Sequence, residues 1–161
     1  LIDSKHISET VHFDGKETII LPTNQLGLEE TYYQKQPIDV PPAPSDAAIR
    51  VPLGDLFGAR SGDKGGCANI GVWAKTENAY SFLNECLTVK KIKELMPDLA
   101  EFQIDRYELP NILSLNFYIH GILEDGVSSN TRKDGQAKSL GEYLRAKYIE
   151  IPKSLIKEKE A

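Results

Sequence analysis

Between Gly58 and Asn69 the chain sets Arg60, Ser61, Asp63 and Lys64 among Gly62, Gly65 and Gly66, with Cys67 directly after them. Glycine tolerates positive φ and lets a backbone come close to a ligand. The cluster can therefore turn several N–H groups toward one anion, with Arg60 and Lys64 supplying charge. The chemistry this suggests is anion contact. The spacing from Gly58 to Lys64 does not fit a Walker A loop, and no G-x-G-x-x-G occurs, so neither ATP nor NAD is supported. The alternative is a long glycine-relaxed hairpin connection with solvated charges, and the residues alone leave both readings open.

His120 can act as an acid or base near neutral pH, with Asp63 as a candidate to orient it, although a lone histidine is more often structural. Cys67 has two cations nearby, but the sequence identifies neither a base nor an oxyanion hole for it, which argues against a nucleophile. Arg132, at the end of Ser128-Ser129-Asn130-Thr131, is a further cation that could grip an anion among hydroxyls. Cys67 and Cys86 lie too far apart for C-x-x-C, and none of the three histidines stands at zinc-site spacing with them. No metal and no cofactor is expected.

The elements that must position these residues follow from periodicity. Ile49, Val51 and Leu53 alternate as a strand, which Pro52 marks as an edge or an end. Asn69 to Ala74 alternates as a second strand leading out of the Gly-rich run. Thr76 caps a helix whose apolar stripe is Ala79, Phe82, Leu83, Cys86 and Leu87, which makes Cys86 a core residue. Thr88 caps a second segment through Ile92, Leu95 and Met96, and Pro97 ends it. Phe102 to Leu109 and Leu113 to His120 read as strands around a turn at Pro110-Asn111. A last helix turns Ala137, Leu140, Gly141 and Leu144 inward, and a short strand, Tyr148 to Ile151, can close the sheet.

Strand, helix, strand, strand, helix, strand is the split βαβ order, with one extra strand in front. The expected fold class is therefore α+β: a ferredoxin-like sandwich with an antiparallel sheet and helices on one face. The other face stays open unless something covers it, and alternation puts Asn69, Trp73, Asn116, Tyr118 and His120 on it. That face can be a self-association surface, or a pocket floored by Trp73 and Tyr118 with Asn116 and His120 as polar contacts.

The 161 residues suffice for one domain with a core plus an extension. Residues 1–47 read as that extension: a hairpin at Asp14-Gly15 between Val11, Phe13 and Ile19, Ile20, Leu21, a polar stretch ending in Tyr32-Tyr33, then a connector with Pro37, Pro41, Pro42 and Pro44. The domain proper spans 48–152, and 153–161 is a charged tail expected to fray. A net charge of −5 with scattered basic residues argues against nucleic acid and anionic membranes. The absence of a visible signal peptide or spanning apolar run points to the cytoplasm. The start at Leu1 without methionine suggests a fragment or a processed chain.

The run from Gly58 to Gly66 followed by Asn69-Ile70-Gly71-Val72-Trp73-Ala74 resembles the small C-terminal domain of the AtuA-like acyclic terpene utilisation proteins. Tyr107 to Asn111, Leu115-Asn116-Phe117 with His120-Gly121, and Gln136-Ala137-Lys138 with Leu140 to Arg145 agree in the same order. The resemblance covers about Ile49 to Pro152. It implies a ferredoxin-fold domain that follows a large AtuA domain or stands as a separate protein, in a setting of terpene breakdown through CoA thioesters. Neither carboxylase activity nor biotin transfers with it. By position it marks Arg60, Ser61, Asp63, Lys64, Gly65, Gly66, Asn69, Asn116 and Arg132 as motif residues, while Cys67 departs from its pattern.

Two functions remain in view. One is an accessory or assembly domain that forms homo-oligomers through its open face, completes a large AtuA domain, and shows no turnover alone. The other is a ligand-binding or catalytic domain whose loop holds the anionic group of an acyl-CoA-like small molecule.

Overall fold

The structure, a computed structural model, describes residues 9–20 and 40–160. The chain divides into a unit ending at Pro37 and a second beginning at Ile38. In the first, β1 (Glu9–Phe13) pairs antiparallel with β2 (Lys16–Ile20). Asp14 and Gly15 between them take φ of 48° and 70°, the two positive angles of a type I′ turn, so the expected hairpin is present. Leu21, Tyr32-Tyr33 and Gln36 to Asp39 lie outside the described residues.

In chain order the second unit runs β3 (Ala48–Pro52), β4 (Gly58–Lys64), β5 (Cys67–Trp73), α1 (Glu77–Cys86), α2 (Val89–Leu95), β6 (Ile104–Leu109), β7 (Ser114–Ile119), α3 (Leu140–Arg145), β8 (Tyr148–Pro152) and α4 (Lys153–Glu160). Its four-stranded antiparallel sheet is ordered β4-β5-β7-β6. Strict alternation drives one face inward. Ala68, Ile70 and Val72 of β5 and Leu115, Phe117 and Ile119 of β7 are fully buried, in one core with Leu83, Leu87, Ile92 and Met96 of the helical layer. Full burial of each large apolar side chain contributes about 1.5–3 kcal/mol. This is the ferredoxin-like α+β arrangement.

Local chemistry sets the helix ends. The Thr76 hydroxyl accepts from Ala79 N at 3.3 Å and the Thr88 hydroxyl from Lys91 N at 3.1 Å, satisfying donors that a first turn leaves unpaired. Arg106 reaches back from β6 and donates to the Asn84 and Leu87 carbonyls at 2.7 and 3.2 Å, which ties the end of α1 to the sheet. Asp134 accepts from Lys138 N and Ser139 N, both at 2.9 Å, and so orders the turn that leads into α3. Among the described residues no helix is long and apolar enough to cross a membrane.

Four expectations are corrected. The run Gly58 to Asn69 is not a loop: β4 and β5 pair from Gly58↔Trp73 to Lys64↔Cys67, which leaves only Gly65-Gly66 as the turn. Gly65 has φ of 63°, and positive φ at the first turn residue alone is the type II′ pattern that Gly favours. The strand at 148–152 does not close the main sheet but pairs with β3 in a separate two-stranded ribbon. A two-residue connection brings β4 to the edge of β5 at far lower loop-closure cost than a strand more than seventy positions downstream. The charged tail is helical over Lys153–Glu160, because Leu155 is buried and Ser154 N and Oγ both donate to the Asp46 carboxylate. The proline connector also packs where it is described: Val40 lies against the core, and Val40, Pro41 and Pro42 face Tyr80 and Asn84 of α1.

The hairpin's end is held by a close backbone contact. Leu123 N donates to Gly66 O at 2.9 Å, and a Cβ on Gly66 would stand 2.1 Å from the Glu124 carbonyl oxygen. Gly66→Ala must therefore displace backbone and is expected to cost at least about 1–3 kcal/mol in urea unfolding. Gly71→Ala, where the nearest atom lies 3.9 Å away, should stay within about 1 kcal/mol of the parent.

Candidate functional site

Cross-strand partners share a face, so the register assembles the open side of the sheet row by row. One row is Gly58, Trp73, Ser114 and Leu109, the next Arg60, Gly71, Asn116 and Tyr107, and the third Gly62, Asn69, Tyr118 and Asp105. Lys64 and Cys67 follow, with His120 just beyond the end of β7. The face thus grades from apolar at the Trp73 end to ionisable at the hairpin end.

The ionisable end is a connected cluster. His120 Nε2 lies 2.7 Å from Asp105 Oδ2, and Gln103 donates to Asp105 Oδ1 at 3.4 Å. The His120 bond first, and the Gln103 bond second, lower the Asp105 pKa below the ordinary 3.8. Tyr118 meets the His120 ring edge to face at 4.9 Å. Its hydroxyl pKa is raised, first by pairing with Cys67 and then by burial. Gly121 N donates to Cys67 Sγ at 3.4 Å. A thiol, a phenol and a carboxylate-oriented imidazole therefore lie together on one half-exposed surface, the residue types that move protons and attack electrophiles. Next to them Asn69 donates to Asn116 at 2.9 Å across the β5–β7 diagonal.

Of the residues singled out from sequence, Arg60, Lys64, Asn69, Asn116 and His120 share this face. Ser61 and Asp63 point the other way, toward the helices, being partners of Ile70 and Ala68. The Ser61 hydroxyl donates to Lys138 O at 3.1 Å and accepts from Gly141 N at 2.8 Å, so it holds α3 against β4. Asp63 lies 4.0 Å from the Lys138 ammonium and does not orient His120; Asp105 does. Lys64 donates to the Asp63 backbone carbonyl at 2.8 Å. Arg132 lines a separate cavity of about 470 Å³ with Asp98, Asp134 and Glu142. Gly65 and Gly66 form the turn itself. The proposed clamp is thus distributed over two faces and a distant loop, not gathered around one point.

The pocket expected over Trp73 and Tyr118 is also corrected. A cavity of about 410 Å³ includes Trp73, but its walls are Gly54 to Gly58, Ala79, Arg145 and α4 in place of Tyr118, Asn116 and His120. Sequence reasoning missed Asp105 and Tyr107. Alternation within β6 puts both on one face, but only the β6–β7 register reveals that this is the His120 face.

Residues 51–150 match the family described as AtuA ferredoxin-like domain, which is more than half of the chain, and the chain belongs to that family. No curated protein and no solved structure matches it.

The two cysteines should differ sharply in reactivity. Burial pushes the Cys86 thiol up to about 12, whereas Cys67 lies on the open face of the sheet opposite Lys64. At pH 8 only about one Cys86 in 10,000 is thiolate. Brief iodoacetamide treatment followed by peptide mass spectrometry is expected to label Cys67 and spare Cys86; equal labelling would contradict this placement.

Asp105 gives a pH signature. Its folded pKa is lowered, so the stability it contributes is present above about pH 4 and lost as pH falls through the folded value. The melting temperature of Asp105→Asn should therefore trail the parent at pH 6, and the gap should close on acidification. A gap constant with pH would show that the carboxylate charge has no part in it.

Proposed function

We propose that this AtuA ferredoxin-like domain is an accessory module that self-associates through the open face of its sheet and in that form completes a larger AtuA-type enzyme. The observation that carries the reading is the apolar end of the face. Tyr107 and Leu109 on β6 are 51% and 41% exposed, Ile112 in the following turn is 65% exposed, and Trp73 lies half-buried in the same row as Leu109. Soluble proteins cover contiguous surface of this kind with a partner.

Charge supports a second copy as that partner. Arg60 and Lys64 project from β4 at one edge, and Asp105 from β6 at the other. A two-fold contact must be self-complementary, and laying the β4 edge of one copy over the β6 edge of another sets cations against a carboxylate. Four strands about 4.8 Å apart and seven residues at about 3.3 Å give a face of roughly 14 by 23 Å. That is smaller than the ~800 Å² per partner of a standard interface, so association in the micromolar range is expected. The resemblance to terpene-utilisation proteins names, within this proposal, the class of enzyme served: one acting on CoA thioesters of acyclic terpenes.

Sedimentation equilibrium of the full chain between about 1 and 100 μM tests the contact. A monomer–dimer equilibrium is expected, weakened at least tenfold in the double variant Tyr107→Glu, Leu109→Glu, with melting temperature and circular dichroism unchanged. A monomer throughout that range, or a dimer indifferent to the double variant, would overturn the assignment.

A further inference from the structure

At the end of the sheet remote from the Gly65-Gly66 turn, the cavity of about 410 Å³ is enclosed by the segment after β3, the start of α1, the end of α3 and α4. Its volume is within the range of small-ligand sites. Phe57, Ala79 and Leu155 give it a buried apolar floor. The indole of Trp73 forms one wall and is fixed there by Gly58, where a Cβ would stand 2.2 Å from the ring.

The polar lining is uneven. Lys75, Arg145 and Lys159 face Asp55 and Glu158, three cations against two acids. Lys159 donates to the Asp55 backbone carbonyl, and Glu158 accepts from Asn78 at 3.5 Å. Arg145 uses Nη1 on Glu142 at 3.0 Å, but its Nε is buried without a hydrogen-bond partner. Gly54 makes room for this guanidinium, since a Cβ there would lie 3.0 Å from Arg145 Nε.

From the apolar floor, the fixed indole and the guanidinium and ammonium groups in its lining, we infer that this cavity is a binding site for a small amphipathic carboxylate. The apolar body of such a ligand lies on Phe57, Leu155 and Trp73, and its carboxylate accepts from Arg145 with Lys75 at the rim. The site is distinct from the His120–Asp105 cluster and does not depend on the self-association proposed above.

The chain has one tryptophan, so its emission reports on this wall and on the open face that Trp73 shares with Leu109. Titration of the full chain with octanoate is expected to change Trp73 emission saturably, and 1-octanol to bind at least tenfold more weakly. Arg145→Gln should weaken octanoate about tenfold, the worth of one charge-assisted hydrogen bond. Lys75→Ala, an exposed rim change that leaves the fold intact, should weaken it a fewfold. Repeating the titration in Tyr107→Glu, Leu109→Glu separates ligand binding from association, and the octanoate response should persist there. No saturable response, equal binding of octanol, or indifference to both cation variants would overturn the assignment.

Discussion

A slip of one residue between β4 and β5 would exchange the face of every side chain on β4, sending Arg60 and Lys64 into the helices and Ser61 and Asp63 to the open side. What forbids the slip is the end of the hairpin. The turn is two residues long, Gly65 holds a left-handed angle, and the Gly66 backbone is seated against Glu124 and bonded to Leu123. On the other side of the strand, the Ser61 hydroxyl can reach Gly141 N only in this register. The motif that looked most like a ligand loop is therefore the clamp that sets which residues form the open surface.

That clamp explains the departure in topology. Once β4 is paired with β5 through a two-residue turn, the edge next to β5 is filled before β8 is reached in the chain. Tyr148–Pro152 then finds its partner in Ala48–Pro52, and Ile149 and Ile151 still reach the common core. The ribbon also returns the chain to a position from which Leu155 on α4 is buried. The layers of a ferredoxin-like fold are kept, but its last strand is released to pair with β3, and the α4 helix that follows it lines a cavity.

The sequence made the layers legible where apolar spacing was strict. The alternation in β7, the threonine caps of α1 and α2 and the Asp14-Gly15 turn each followed from residues within a few positions of one another. What it hid depended on distant partners. Asp105 joins His120 only through the β6–β7 register, and the turn that sets that register places Leu113 at φ of 50°, which no Gly announces. The helix at Lys153–Glu160 has just two apolar residues, Leu155 and Ile156, and its first turn is held by Asp46, 108 positions away. Glycine composition misled in the same way, since a contact between Gly66 and Glu124 leaves no local trace.

Cys67 and Cys86 show why the site must be argued from faces instead of residue types. Both are free, and both lie within a few positions of lysines or arginines in sequence or space. Cys86 ends α1 on its inward side, where its thiol can donate only to the Leu83 carbonyl at 3.8 Å and burial holds it protonated. Cys67 begins β5 on the outward side, beside Tyr118 and the His120–Asp105 pair. The difference is set by the parity of one strand position, because a single step to Ala68 points wholly into the core. The same parity puts Lys64 outward and Asp63 inward. A cation therefore accompanies the thiol on the open face, while the nearest carboxylate of β4 is withheld from it.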